Sequence, residues 1–388
     1  MALSPDDIRD LTAWRQALHR VPELSGAEVR TATSVVRMLE DLGADAIHAG
    51  IGGHGVIGVF ESGTDGPRVM LRCELDALPI VEDSDAAHAS TVPGTAHLCG
   101  HDGHMAILAG VARTLARVRP ERGAVLLMFQ PAEEIGAGAR AVVADRSFAG
   151  LRPDFVFALH NMPGMPLGRV AVREGPASCA SRGMRIGLHG RTSHAAEPEK
   201  AVSPMLALSR LMPGLSALAE GRPGQADYAL VTVTHARLGE AAFGITPGEA
   251  ELFITLRTLT DARMAQLVQD AEALVARLAA EDGLGVSVNY HDVFDATVNA
   301  PKAVRIVRRA LDRLGLSHGE EPLPMRASED VGCFGAVAPL AFLLLGAGEE
   351  TPPLHAPTYD FPDPLIATGA AVFNAILAEI LGPAADDT

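Results

Sequence analysis

Leu98-Cys99-Gly100-His101-Asp102-Gly103-His104 places one thiol, one carboxylate and two imidazoles within seven residues, with glycines between them. These are the donor types that bind borderline-soft divalent metals, and the glycines let the backbone turn tightly enough to aim several at one point. Read as extended or looped chain, Cys99 and His101 lie two apart and face the same side. Other donors stand elsewhere: Glu133-Glu134, His160, and His355 in the proline-stiffened loop Pro352-Pro353-Leu354-His355-Ala356-Pro357. Stiffness suits a ligand that must be preorganised. Taken singly, each has a plainer reading. Glu133-Glu134 could be the acidic first turn of a helix, and His160 a structural histidine. Together they offer N, O and S donors for two adjacent divalent ions, with one glutamate left over as a base.

The elements around these residues explain how they could meet. Arg68–Leu75, Ala124–Phe129, Phe155–Leu159 and Leu340–Leu345 are short, continuously apolar segments that read as buried strands. Helical patterns alternate with them: a start at Ser4-Pro5-Asp6-Asp7, a second helix over 27–42, and an apolar helix over Met105–Val118. That alternation predicts an α/β fold with a mostly parallel sheet covered on both faces. Ligands in such sheets bind beyond the carboxyl ends of the strands. Asp76, Glu133, Glu134 and His160 directly follow strand ends, and His355 follows in a loop. Asp76 reads as the carboxylate that holds a metal-bound imidazole.

Between Arg182 and Phe294 the pattern becomes β-α-β-β-α-β, the order of a ferredoxin-like α+β module. Donor residues lie on both sides of it, so it reads as an insertion. The expected division is 1–180 and 296–388 for the metal-binding domain and 181–295 for the inserted lid, with hinges near Gly175–Arg182 and Ala296–Pro301.

Composition narrows the function. At 388 residues two domains are the default, and 48% hydrophobic residues suffice for sizeable cores. A formal net charge of −16 argues against nucleic acid or an anionic membrane as a partner. Cys73, Cys99, Cys179 and Cys333 are widely spaced, which fits reduced thiols in a cytoplasm. The first ten residues lack the pattern of a secretory signal, and no apolar run approaches the roughly 20 residues of a membrane helix. His48, His54, His88 and His97 sit in polar stretches and are expected at the surface. Cys73, Cys179 and Cys333 are expected as buried thiols.

The chain resembles the amidohydrolase branch of the aminoacylase/carboxypeptidase metallopeptidases, which includes hippurate hydrolase and indole-acetyl-amino-acid hydrolases. The resemblance is carried by HRVPELSGAE (19–28), ELDALP (74–79), CGHDGHM (99–105), QPAEEIGAGA (130–139) and ALHNMPGMPLG (158–168). It continues through SHAAEP (193–198), GEAELFITLRT (248–258), ASED (327–330) and LHAPTYDFPD (354–363). The resemblance implies a two-metal site with Cys99 bridging and His101, Glu134, His160 and His355 completing it, and Glu133 as general base. It implies an inserted lid that dimerises, and a lid histidine, here His194, that stabilises the oxyanion. The substrate would be a small N-acyl amino acid (acetyl, benzoyl or similar), the ions zinc, manganese, nickel or cobalt, and the enzyme a homodimer or higher homo-oligomer. Arg257 is a candidate for binding a carboxylate, against a plain ion pair on the lid surface.

The sequence departs from its relatives at three positions. Glu74 stands where they usually carry Asp, and Val331 replaces a common aromatic. Gly244 stands where many place an Asn that helps hold the substrate carboxylate, so the usual amino-acid preference is not carried over. Two rival readings remain open at this point. Cys99 could be the nucleophile of a thiol hydrolase, or the chain could be a non-catalytic metal-binding protein of the same fold.

Overall fold

The computed structural model describes residues 2–382. The chain forms two compact units, one built from residues up to Ala177 with Thr297–Leu323 and Glu329 onward, the other from Ser178–Ala296 with Pro324–Ser328.

The first unit is built on an eight-stranded mixed sheet. Its centre is parallel: Arg68–Glu74 lies between Ala124–Gln130 and Phe155–Pro163, and the latter pairs with Leu340–Gly348, all in one direction. Antiparallel strands, Ala46–Ile51 beside Gly55–Glu61, extend one side. Every residue of Ala124–Gln130 is buried, the signature of a strand covered on both faces. The helix Pro5–Arg20 starts as its sequence requires, with a capping box between Ser4 and Asp7. It packs on the helix His101–Arg117, which in turn packs on Leu365–Leu381. The helix after the Cys99 stretch begins earlier than its apolar pattern, at His101, and its first turn therefore carries His101 and His104 on one face.

The second unit is a four-stranded antiparallel sheet. Ala229–Leu238, Glu249–Thr258, Ala180–His189 and Gly285–Phe294 lie in that order across it. Taken in chain order these strands stand 2-3-1-4 across the sheet, with helices Met205–Ser216 and Asp261–Glu281 in the two crossover positions, as the ferredoxin-like pattern anticipates. Alternation sets its buried face. Along Glu249–Thr258, Ala250, Leu252, Ile254 and Leu256 are buried while the residues between them are not. Their partners are apolar residues of the two helices, among them Leu208, Leu211, Leu267 and Val275.

Candidate metal centre

The carboxyl ends of the four central parallel strands lie along one edge of the sheet of the first unit, so the segments that follow them emerge together. Cys99 and His101 converge differently from the extended alternation expected of them. Gly100 between them is left-handed (φ 90°) and caps the helix that starts at His101. A Cβ at Gly100 would also lie 2.7 Å from the Asn161 amide nitrogen, so glycine is needed there twice over. Glu133 and Glu134 lie in a turn ahead of the helix Gly138–Ala144, not in a first helical turn. His160 sits inside its strand, which runs on to Pro163. His355 is left-handed (φ 68°), and its N–H donates to the Leu98 carbonyl, which ties its loop to the Cys99 stretch.

These side chains share one small volume. The donor atoms of Cys99, His101 and His160 lie within 4.8 Å of one another, and so do those of Cys99, Glu134 and His355. Cys99 belongs to both sets. His160 Nε2 stands 3.3 Å from Cys99 Sγ, His101 Nε2 is 3.8 Å from Glu134 Oε1, and His355 Nε2 is 3.8 Å from Glu134 Oε2. Two ligands about 2.1 Å from one tetrahedral ion stand about 3.4 Å apart, so the spacings fit a shared cation. Glu133 lies 4.0 Å from His101 Nε2.

Hydrogen bonds aim the rings. His101 Nδ1 donates to the Asp76 carbonyl (2.8 Å), with the Asp76 carboxylate at 3.6 Å, and His160 Nδ1 donates to the Asn161 carbonyl (2.8 Å). Each bond fixes a tautomer that leaves Nε2 facing the cluster. His101 Nε2 and Glu134 Oε1 are buried and have no hydrogen-bond partner among the described residues. Orphaned buried donor atoms of this kind are what a metal ion satisfies. Burial pushes Glu134 up to about 7, and burial with the neighbouring Glu329, Glu134 and Asp330 pushes Glu133 up as well. Burial would lower His101, but Asp76, Glu74 and Glu134 outweigh it and raise the ring to about 10. The field therefore favours positive charge at this point. The donor set fits divalent cations.

Several neighbours carry no role in the sequence reading. Arg72, wholly buried in an apolar strand, is paired with Glu74, Glu329 and Asp330. Its signal was a charge inside a buried apolar run, which must find counter-charges. His104 donates from Nδ1 to Glu74 (2.6 Å) and accepts the Asn161 N–H at Nε2 (3.1 Å), so both ring nitrogens are used. Asn161 in turn donates to the Cys99 carbonyl (2.8 Å) and accepts from the Tyr359 hydroxyl. His104 thus ties the end of the strand Arg68–Glu74 to Asn161, the residue after His160 and the one that holds the Cys99 carbonyl.

Other expectations need correction. His97, expected at the surface, is 1% exposed, because the polar loop that holds it is itself covered. His88 is also partly covered, and its Nε2 lies 2.9 Å from Asp360. His48 and His54 are half-buried. Cys73 and Cys179 are buried, whereas Cys333 is only half-buried.

The remaining candidates, His194, Gly244 and Arg257, belong to the second unit. His194 is exposed and pairs across a two-residue ladder with Ile245. A Cβ at Gly244 would meet no atom within 4 Å. Arg257 has no carboxylate partner among the described residues. Its Nη1 donates to the Arg326 carbonyl (3.1 Å) and to Ser328 Oγ (3.0 Å), so the surface ion pair weighed against it is not formed.

The model of peptidase family M20/M25/M40 matches residues 70–379. The chain belongs to this family. Among its relatives, the N-acetylcysteine deacetylase of Bacillus subtilis is 29% identical over 374 residues, covering 96% of this chain and 97% of that protein. The hippurate hydrolase of Campylobacter jejuni is 30% identical over 372 residues, covering 95% of each. Among solved structures, the Bacillus subtilis YXEP protein, described as a dinuclear metal binding peptidase of the M20 family, superposes with a TM-score of 0.82 at 28% identity, covering 97% of this chain and 98% of that one. As a family member of the amidohydrolase branch, the chain is a hydrolase acting on amide bonds.

Proposed function

We propose that the protein hydrolyses the amide bond of small N-acyl amino acids, such as acetyl or benzoyl derivatives, using two divalent ions and Glu133 as general base. The observation that carries this reading is the pair of donor triads that share Cys99, with a further buried glutamate beside them. Cys99, which both triads share, would hold the ions together with His101, Glu134, His160 and His355. Zinc, manganese, nickel and cobalt all suit a mixed S, N and O donor set. The names of the relatives, a deacetylase and a hippurate hydrolase, support an N-acyl amino acid as substrate.

Bound divalent ions supply Lewis acidity, polarising the amide carbonyl and lowering the pKa of a water at the site. Glu133 removes a proton from the attacking water, and the new C–O bond gives a tetrahedral oxyanion. His194 stabilises that charge in this reading, which the resemblance supports. Glu133 then hands its proton to the leaving nitrogen, the C–N bond breaks, and a carboxylic acid and a free amino acid result. Burial holds the Glu133 carboxyl well above the usual range, which suits a group that must keep a proton between the two steps. Asp76 holds the His101 ring through its carbonyl. Arg257, with no carboxylate of its own, takes the substrate carboxylate, and Gly244 leaves room for the amino-acid part.

Burial and the two adjacent glutamates push the Cys99 thiol well up, opposite to what a thiolate nucleophile needs. The place of Cys99 in both donor triads favours a metal ligand over the thiol-hydrolase reading. The resemblance also supports a homodimer formed through the second unit. The four cysteines form no disulfide among the described residues, which fits a reducing cytoplasm, and no helix among the described residues is long and apolar enough to cross a membrane.

The test is Glu133→Gln. We expect it to keep its metal while turnover of N-acetyl and N-benzoyl amino acids falls by about 10²–10⁴-fold. Undiminished turnover would remove Glu133 from the base role.

A further inference from the structure

The segment HRVPELSGAE (19–28) takes no part in the chemistry above, yet it reaches the turn that carries Glu133. Glu28 is wholly buried. Its Oε1 accepts the Ala132 N–H (2.8 Å) and the Gly26 N–H (2.9 Å), while its Oε2 has no hydrogen-bond partner among the described residues. Ala132, immediately before Glu133, is held at φ 51°, a left-handed conformation that a residue with a Cβ adopts only when its surroundings impose it. Its carbonyl is held too, accepting the N–H groups of Ala137 (3.3 Å) and Gly138 (3.0 Å).

The residue on the other side of Glu133 is anchored in the same way. The Glu134 N–H donates to Asp76 Oδ2 (3.0 Å), and that oxygen also accepts from Ser25 Oγ (2.6 Å), a residue of the same segment. Glu133 therefore hangs between two main-chain amides, each tied to a buried carboxylate, and residues of one N-terminal segment supply or brace both ties.

We propose that Glu28 is a positioning residue for the reaction: by accepting the Ala132 amide it holds the left-handed turn that aims the Glu133 carboxylate. This rests on the assignment of Glu133 as base. Glu28 touches neither substrate nor donor cluster and acts through the backbone alone. Glu28 stands at the N-cap position of the helix Val29–Asp41 but its side chain makes no capping bond; a merely structural Glu28 would change melting temperature without a selective effect on kcat.

The test compares Glu28→Met, which fills the volume without an acceptor, Glu28→Ala, and Glu28→Gln, whose amide oxygen still accepts. Each is measured for kcat, KM, metal content, melting temperature and hydrogen exchange at the Ala132 amide, with Glu133→Gln alongside. A displacement of the base by about 1 Å costs about 100-fold, so E28M and E28A should lose kcat on that scale with KM little changed. Ala132 should lose exchange protection in both. E28Q should restore most of the rate and the protection. Ala132→Gly in the E28M background should recover part of the rate, because glycine takes the left-handed turn without the cost. A folded E28M that keeps its kcat while E133Q is inactive would overturn the inference and leave the base assignment standing. E28Q as impaired as E28M would overturn it too, and an active E133Q would instead remove the base assignment on which it rests. Should E28A fail to fold, E28M and E28Q carry the comparison.

Discussion

Glu74, Glu133, Glu329 and Asp330 lie buried around a fully buried guanidinium, that of Arg72. Ionised together, they carry more negative charge than Arg72 balances. Burial raises Glu134 from its ordinary 4.5 and Asp330 from 3.8, each to about 7. A carboxyl raised on folding binds more protons folded than unfolded, so its contribution to stability falls as pH rises between those two values. Asp7, held low by Arg117, and Asp102, held low by His19 and Arg15 against the effect of burial, lose their stabilisation only below about pH 4. His97, pushed down to about 4 by burial, and His160 and His355, also lowered by burial, oppose that fall below their ordinary 6.5. Above it His101, raised to about 10, loses its contribution in the same sense as the carboxyls, so metal-free protein should melt at progressively lower temperature from pH 7 to pH 8, and divalent ions should flatten the slope. A melting temperature that rises with pH over that interval in chelator would contradict this electrostatic picture.

At this scale the sequence showed which residue types could bind metal, because thiol, imidazole and carboxylate in a Gly-rich stretch have few cheaper uses. It did not show the groups that support them. Arg72, His104 and Glu28 act through partners far along the chain, such as the bond from the Ala132 amide to Glu28, and local pattern has no access to such distances. His97 is buried against the expectation of its polar surroundings for the same reason: a polar loop says nothing of what covers it.

Among the elements, continuous apolarity identified the four central strands, and their shared direction explains why donors from distant segments converge. Glu249–Thr258 and Gly285–Phe294 are strands, as the β-α-β-β-α-β order between Arg182 and Phe294 predicts. The strand Ala46–Ile51 was not anticipated, since it is half exposed at the sheet margin and carries His48 and Gly50 instead of an apolar run. The helix His101–Arg117 starts earlier than its apolar pattern because its first turn is built from His101, Asp102 and His104, which carry no apolar period. That helix is set in place by close contact. A Cβ at Gly103 would stand 2.2 Å from the Phe361 ring, and Phe361 is itself buried. Gly103→Ala should therefore cost about 1–3 kcal/mol of unfolding free energy, read from the denaturant midpoint. It should also disturb the site, since His101 and His104 flank the glycine. An unchanged midpoint would show that this helix is not packed as described.

On the scale of the whole molecule, the chain divides labour between a mixed sheet that collects metal donors and an α+β unit that carries His194, Gly244 and Arg257. Helix and strand periods made both architectures readable, whereas substrate choice depends on a few residues with no periodic signal. The central claim is that the sheet's edge holds two catalytic ions. Its most direct test is the metal content of the purified protein, paired with hydrolysis of a panel of N-acyl amino acids before and after chelation. The expected result is about two ions per chain, with activity lost on chelation and restored by a divalent ion. A protein without metal, whose activity survives chelators and is abolished by alkylation of Cys99, would contradict it.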